Sequence, residues 1–412
     1  MATTQQPLAV VGGGPAGLMA ATVLAEAGHR VELFDAMASP GRKLLVAQRG
    51  GFNLTHSAPP PEFAGRYGAH QAWFAKILAR FSPADLRRWL ADMGITTEVG
   101  SSGRVFPAEA KASDLLQLWL ARLQRAGVQF HPNHRWRDLT PAGEFIFQGP
   151  DGSSRTVTPA GAVLALGGAS WPQTGSDGAW TSILARHGVA IIPFAPANCG
   201  FETPWSATLL SRHEGAPLKN LLLRAPGGQQ QVGELVITRY GIEGGGIYPL
   251  TPFLREELAT TGRAVLTLDL KRDLAESEVR ARLAKPRGKN SWSNFLRKQL
   301  RLEGAAFSLL RECCSDADFA DPARLAARIK CLPITLTNIR PIAEAISSAG
   351  GIAMHEIDEH CMLTRLPGVF AAGEMLGWEA PTGGFLLQGA FSTGYCAAQG
   401  LLAWLTRQSQ AG

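Results

Sequence analysis

Apolar residues fall into short runs that recur along this chain and end in glycine or an acid. The first is LAVV at 8–11 and the second is VELF at 31–34, which ends at Asp35. Both read as strands of a parallel sheet. Between them, residues 15–27 read as a helix stopped by Gly28, a natural left-handed cap. AVLAL at 162–166 is a further buried strand, ending in Gly167-Gly168, and 369–372 is another, ending in Gly373-Glu374. Residues 191–270 carry short β-rich runs such as GELVITRY and AVLTLDL. Residues 273–330 carry helical segments, among them SWSNFLRKQL after Ser291 and PARLAARIK, with Asp321 as N-cap and Pro322 at N1. The pattern predicts an α/β chain whose middle differs from its two ends.

At 412 residues the chain exceeds what one hydrophobic core serves, so two or more domains are expected. Hydrophobic content of 45% with 18% charged residues suits a globular enzyme and excludes large-scale disorder. A net charge of +6 suits an anionic ligand, but the Lys and Arg are scattered without a run of five. No nucleic-acid partner is therefore expected. Cys199, Cys313, Cys314, Cys331, Cys361 and Cys396 show no C-x-x-C or C-x-x-H spacing, so no metal is expected. The N-terminus lacks a basic start, and no apolar run approaches the roughly 18 residues of a membrane helix. A cytoplasmic protein without a membrane segment is expected.

The candidate chemistry lies in the glycines. Gly12, Gly14 and Gly17 form G-x-G-x-x-G, with Pro15 and Ala16 inside it and Asp35 eighteen residues after Gly17. Gly12 permits the turn, Gly14 lets backbone approach a pyrophosphate, and Gly17 lets helix pack on strand. The helix N-terminus offers free N–H groups to phosphate, and Asp35, followed by Ala36, is placed to accept from ribose. This motif alone leaves FAD and NAD both open. GRKLLVAQRGGFNLTH at 41–56 adds Arg42, Lys43, Gly50, Gly51 and Asn53; by itself it reads equally as a basic surface loop. Gly167 and Gly168 close a strand, Gly373 and Glu374 another, and Thr382-Gly383-Gly384 opens a helix from Phe385 towards Trp404. Val128 completes the candidate cofactor-binding set. Ligand loops at both ends of so long a chain favour an extended FAD, with ADP held by the N-terminal unit and ribitol by the C-terminal turn.

The segments VVGGGPAGL, GRKLLVAQRGGFNLTH, SSGRVFPAEAKAS, LGGASWPQTGSDGAW, GELVITRYGIEGGGIY, AISSAGGI and PGVFAAGEMLGWEAPTGGFLLQGAFSTG resemble, in order and over nearly the full length, bacterial flavoproteins of the YhiN/BaiN type. These are NAD(P)/FAD-dependent oxidoreductases, also described as aminoacetone-oxidase-like. The resemblance implies a glutathione-reductase-like FAD-binding Rossmann fold, discontinuous at 1–190 and 338–412, with an inserted β-barrel and helical domain at 191–337. AQRGGFN and TGSDG look more distantly like loops of fumarate reductase and ketosteroid dehydrogenase flavoproteins. KLLVAQRGG has no histidine for covalent attachment, which implies non-covalent FAD. Gly377 departs from the family pattern, which carries an acid there.

The resemblance implies an oxidoreductase moving hydride between flavin and a small organic substrate, such as an activated C=C bond or an amine. No second G-x-G-x-x-G follows a strand, so NAD(P)H would enter only as a transient donor. Arg239 is a candidate to hold a carbonyl or carboxylate, Tyr240 to deliver a proton, with Glu243 nearby and Glu379 beside the turn. For Arg239 and Tyr240, purely structural roles are equally open. A flavin monooxygenase and a flavin-binding regulatory module without turnover remain the alternative readings, and oligomeric state is undetermined.

Overall fold

A computed structural model describes residues 6–47 and 51–411, so Gly50 lies outside the described residues. Contacts divide the chain into two compact units, 1–195 with 347–412, and 196–346.

The first unit is built on a five-stranded parallel sheet of β1 (Leu8–Val11), β2 (Val31–Phe34), β3 (Gln129–His131), β4 (Gly161–Leu164) and β5 (Val369–Ala371). Its order is β5-β4-β1-β2-β3, with Val10 opposite both Leu33 and Val163. β1, β2, β4 and β5 are buried at every position, as strands covered on both faces must be. The last strand comes from the far end of the chain, so the sheet is complete only when residues 369–371 return to it.

Helix α1 (Pro15–Glu26) follows β1 and is buried nearly all round. It packs against α2 (Phe385–Ala411), and a Cβ on Gly394 would lie 2.2 Å from the Ala16 carbonyl oxygen. Backbone meets backbone at that crossing, which accounts for one glycine that core packing alone would not require. The amphipathic helix Ala112–Arg125 covers α1 from another side, and Trp119 Nε1 donates to Thr22 Oγ1 at 2.8 Å. An antiparallel meander of Arg135–Leu139, Phe145–Gln148 and Ser154–Val157 fills the connection between β3 and β4.

The second unit is a seven-stranded sheet with helices. Strands Leu332–Leu336 and Asn338–Ile339 occupy its two opposite edges although only Thr337 separates them. The sheet therefore curls into a nearly closed barrel, which leaves little free edge. Helices from Glu276–Leu283 to Pro322–Lys330 pack on it around Leu296, Leu310 and Ile329. Asp321 caps the last of them, accepting from Ala323 N at 2.8 Å. Lys330 is tied to the buried Asp269 at 2.7 Å. The expected boundary at 337/338 moves to 346/347 because Asn338–Ile339 pairs with Phe201–Glu202 inside this unit. The earlier boundary moves from 190/191 to 195/196, beyond most of Ile191–Ala197, which pairs with Ser347–Ile352.

Candidate functional site

The glycine loop between β1 and α1 shows which positions are closed by the protein and which are open. Gly12 has φ +104°, and a Cβ there would lie 2.3 Å from the Ala165 oxygen; one on Gly17 would lie 1.8 Å from the Gly12 oxygen. A Cβ on Gly14 would meet nothing within 4 Å. Gly12 and Gly17 are thus required by the fold, whereas Gly14 faces space the protein leaves empty. Pro15 stands at N1 of α1, and Ala16 is buried against α2.

Asp35 braces this loop. Its Oδ2 accepts from Gly13 N and its Oδ1 from Met37 N, both at 2.7 Å. Burial raises its carboxyl above the ordinary value, opposed by those two N–H groups and by the charge of Arg42. Arg42 is exposed and makes no ion pair or hydrogen bond among the described residues. Ala36 borders, with Val11, Leu166 and Gly175, a cavity of about 30 Å³, room for a single water. Val128 is buried in the core ahead of β3.

At the carboxyl ends of β4 and β5 the distant loops meet. Lys43 Nζ lies 2.5 Å from Glu374 Oε2 and donates to Ser170 Oγ at 2.7 Å. Glu374 Oε1 accepts from Ser348 N at 2.8 Å and from Ser170 Oγ at 3.3 Å. Ser348 Oγ in turn accepts from Ala169 N and Ser170 N at 2.8 and 3.0 Å. Gly168 admits this cluster, since a Cβ there would lie 2.5 Å from Ser348 Oγ. Gly167 is left-handed at φ +74°, and its carbonyl accepts from Trp180 Nε1 at 2.9 Å. The serines at 170 and 348 were missed by residue-level reading, although both lie inside the quoted segments LGGASWPQTGSDGAW and AISSAGGI.

The opening of α2 forms another wall. Gly384 has φ +100°, and a Cβ there would lie 2.3 Å from the Thr55 oxygen. Gly383, at φ +110°, meets nothing closer than 3.5 Å. Phe385 is buried, stacks on His56 at 4.9 Å, and its carbonyl accepts from Tyr67 Oη at 2.8 Å. Gly373 N donates to Thr393 Oγ1, and Trp378 Nε1 donates to the Gly373 carbonyl. Asn53 Nδ2 donates to the Gly51 carbonyl at 3.1 Å. Among the described residues the buried Asn53 Oδ1 and Thr55 Oγ1 have no hydrogen-bond partner. Such atoms usually find a protein, water or ligand partner.

Residues 6–400 match the family described as HI0933-like protein Rossmann domain. The chain belongs to this family. It is similar to the 3-dehydro-bile acid delta(4,6)-reductase of Clostridium scindens, 25% identical over 409 residues that cover 95% of this chain and 98% of that protein. It is similar also to the ribosomal RNA dihydrouridine synthase of Escherichia coli, 24% identical over 403 residues covering 96% and 97%. Its fold resembles that of a flavocytochrome c3 fumarate reductase (TM-score 0.54, 16% identity, 98% of this chain and 79% of that one). It likewise resembles the 3-ketosteroid-delta4-(5alpha)-dehydrogenase of Rhodococcus jostii RHA1 (0.54, 16%, 98% and 97%). The HI0933-like chain is an FAD-dependent oxidoreductase.

The residues present in the first unit fit such a cofactor: an open Gly14, a helix N-terminus, and buried polar atoms of Asn53 and Thr55 without a partner among the described residues. At Gly377 a Cβ would lie 2.7 Å from the Ile352 oxygen, so this backbone holds no side chain there. Among the described residues no three His, Cys, Asp or Glu are placed to hold a metal, and no helix is long and apolar enough to cross a membrane.

The three candidate catalytic residues do not share a unit. Glu379 belongs to the first, where its charge acts on His70, whose imidazole burial holds below the ordinary value. Arg239 and Tyr240 belong to the second. Arg239 is exposed, with no ion pair or hydrogen bond among the described residues. Tyr240 Oη donates to Glu243 Oε2, and the Arg340 guanidinium lies 4.5 Å over its ring. Burial, then that bond to Glu243, raises the Tyr240 hydroxyl well above the ordinary value.

Proposed function

We propose that this protein reduces a carbon–carbon double bond conjugated to a carbonyl, with NAD(P)H as the transient donor of hydride to non-covalently bound FAD. The observation that carries this reading is the cradle in the first unit, where Gly14 is open and Asn53 Oδ1 and Thr55 Oγ1 are buried without partners among the described residues. Two relatives that span nearly the whole chain support the substrate class. One is named as a reductase of a 3-dehydro-bile acid and the other as a dihydrouridine synthase. Both names describe saturation of a C=C bond in conjugation with a carbonyl.

Bound flavin would supply the hydride chemistry that no side chain can. Gly12, Gly14 and the start of α1, with Pro15 and Ala16, would take the pyrophosphate; Asp35, Ala36 and Val128 would flank the adenosine. Arg42 and Lys43 would balance the phosphate charge, and Glu374, with Gly167, Gly168 and Gly373, would order the ribitol. Gly51, Asn53, Gly383, Gly384 and Phe385 would border the ring, where the positive end of α2 favours negative charge.

For the substrate, Arg239 would polarise the carbonyl and Tyr240 would give a proton to the α-carbon as hydride reaches the β-carbon. A phenol kept protonated through the neutral range donates only to a strong base, and the carbanionic α-carbon of a reduced enone is one. Glu379, beside His70, would be the alternative acid.

The test is anaerobic. The full chain reconstituted with FAD should be bleached by NADH or NADPH and reoxidised by cyclohexenone or a 3-oxo-Δ4 steroid, but not by cyclohexene. Reoxidation by cyclohexene at the same rate, or by dioxygen alone among all acceptors, would overturn the reading.

A further inference from the structure

One cation at the start of α2 has no acid to answer it. Arg104 opens the strand Arg104–Pro107, which pairs antiparallel with Thr55–His56; His56 stands opposite Arg104, and Thr55 opposite Val105. Val105 and Pro107 are buried, while Arg104 and Phe106 point to the other face and are half-buried. This strand pair abuts the turn that opens α2. A Cβ on Gly384 would lie 2.3 Å from the Thr55 oxygen, and one on Gly383 would lie 3.5 Å from Arg104 Nε. The guanidinium is thus held against Gly383, in the same unit as the glycine loop.

The neighbouring charges are otherwise accounted for. Arg66 lies 5.7 Å over the Phe385 ring and pairs with Glu62 at 3.0 Å. His56 stacks on Phe385, and burial, aided by the Arg66 and Arg104 charges, favours its neutral form. The Arg104 side chain makes no ion pair or hydrogen bond among the described residues. Glu98, across the sheet from Phe106, is exposed and makes no ion pair with it. A guanidinium cannot shed its proton, so partial burial costs solvation that an anion would restore. A second observation on the same strand pair also calls for a ligand: Thr55 Oγ1, fully buried, has no partner among the described residues.

We infer that Arg104 is the counter-charge of the reduced cofactor ring, a cation set at the edge that Gly383 borders. The inference rests on the FAD reading above and assigns a residue which that reading leaves without a role. Hydride arriving at N5 brings an electron pair, and the negative charge it leaves spreads over N1 and the C2 oxygen. The free N–H groups at the start of α2 offer that charge only a fraction of a positive one. A whole positive charge, fixed beside it and partly out of water, offers more. Arg104 would then make the ring a better acceptor of hydride from NAD(P)H and a weaker donor to the substrate. Its part is to set the potential of the ring.

The test uses the FAD-loaded full chain and two readouts that need no turnover. Sulfite donates its electron pair to N5 and leaves the same negative charge on the ring, so its affinity, read by bleaching of the flavin, reports on the cation. Arg104→Gln should weaken sulfite binding at least about tenfold. It should also lower the flavin midpoint potential by at least about 30 mV, a tenfold change for two electrons. Arg104→Lys should recover most of both. Arg66→Gln should change sulfite affinity less than about threefold, because Glu62 already answers that charge. The parent alone gives a check that no unstable variant can spoil: its reduced ring should keep its negative charge to lower pH than free reduced flavin does, read in the near ultraviolet. Protonation at or above the pH of free flavin would overturn the inference. So would an equal loss in Arg66→Gln, or unchanged potential and sulfite affinity in Arg104→Gln, whether or not KM for cyclohexenone rises; these leave the FAD reading intact. A parent that takes up no FAD would overturn both.

Discussion

Lys43 and Glu374 are 331 positions apart in the chain, yet Lys43 Nζ sits 2.5 Å from Glu374 Oε2. Both side chains are largely covered, at 27% and 19% exposure, and Ser170 bonds to each of them. The pair joins the short helix Arg42–Ala47 after β2 to the turn Gly373–Met375 after β5. Cutting one partner leaves the other charge half-buried, which costs more than a surface pair would. Lys43→Met should therefore weaken FAD binding by at least about tenfold, read by flavin fluorescence titration. Lys43→Met/Glu374→Gln should lose less than the two single variants together, because each alone already breaks the same contact.

The glycine loop separates fold from ligand. Gly17→Ala would drive a methyl to 1.8 Å from the Gly12 oxygen and should yield insoluble or unfolded protein. Gly14→Ala meets no protein atom, and Gly14 already has φ −77°, which alanine adopts freely. That variant should keep its thermal midpoint without FAD within about 2 °C. Its FAD affinity should still fall by about tenfold or more, from crowding of the pyrophosphate. Equal affinity in Gly14→Ala and the parent would show that the dinucleotide lies elsewhere.

Acid should weaken the wall beside Phe385. His56 Nδ1 accepts from Ala58 N, and Nε2 lies 3.0 Å from the Ser102 carbonyl, so the neutral ring serves both. Burial lowers its pKa below the ordinary 6.5, aided by the Arg66 charge. The unfolded chain then takes up the proton first. Stability is complete above pH 6.5 and is lost as pH falls through the lowered folded value. His70 and His131, also lowered mainly by burial, act in the same direction. The thermal midpoint should drop by a few degrees between about pH 7 and about pH 5.5, and His56→Gln should flatten that slope.

Tyr240 and Glu243 offer a spectroscopic check. Glu243 helps to hold the phenol protonated, so Glu243→Gln should bring the Tyr240 titration down towards the ordinary value, read as phenolate absorbance against pH. If Tyr240 delivers the proton, Tyr240→Phe should slow reoxidation by cyclohexenone about 10²-fold or more, while flavin reduction by NAD(P)H is unchanged. Slowing of both half-reactions together would mark Tyr240 as a structural residue.

Much of the first unit was legible in the order of residues. The run LAVV, the three spaced glycines and Asp35 prescribe strand, turn and helix locally, because each depends on φ, Cβ bulk and burial within about thirty residues. Asp321 as a cap was local in the same sense. The second unit was less legible. Its barrel nearly closes by setting Leu332–Leu336 and Asn338–Ile339 on opposite edges, a pairing of distant strands that no short window contains. That pairing also moved the boundary to residue 346.

The C-terminal stretch GEMLGWEAPTGG shows the same division at single residues. Local reading marked Gly373, Glu374, Gly383 and Gly384 as candidates for a ligand turn, since so much bare backbone needs a reason. Only the fold brought Ser170 and Ser348 to Glu374 and left Thr55 Oγ1 buried without a partner among the described residues. It also brought Lys298 and Arg287 together at Asn290. Sequence alone determined which segments could turn, cap and span. Tertiary structure decided which charges and hydroxyls share a site, because contacts between residues hundreds of positions apart form only when the intervening chain is packed.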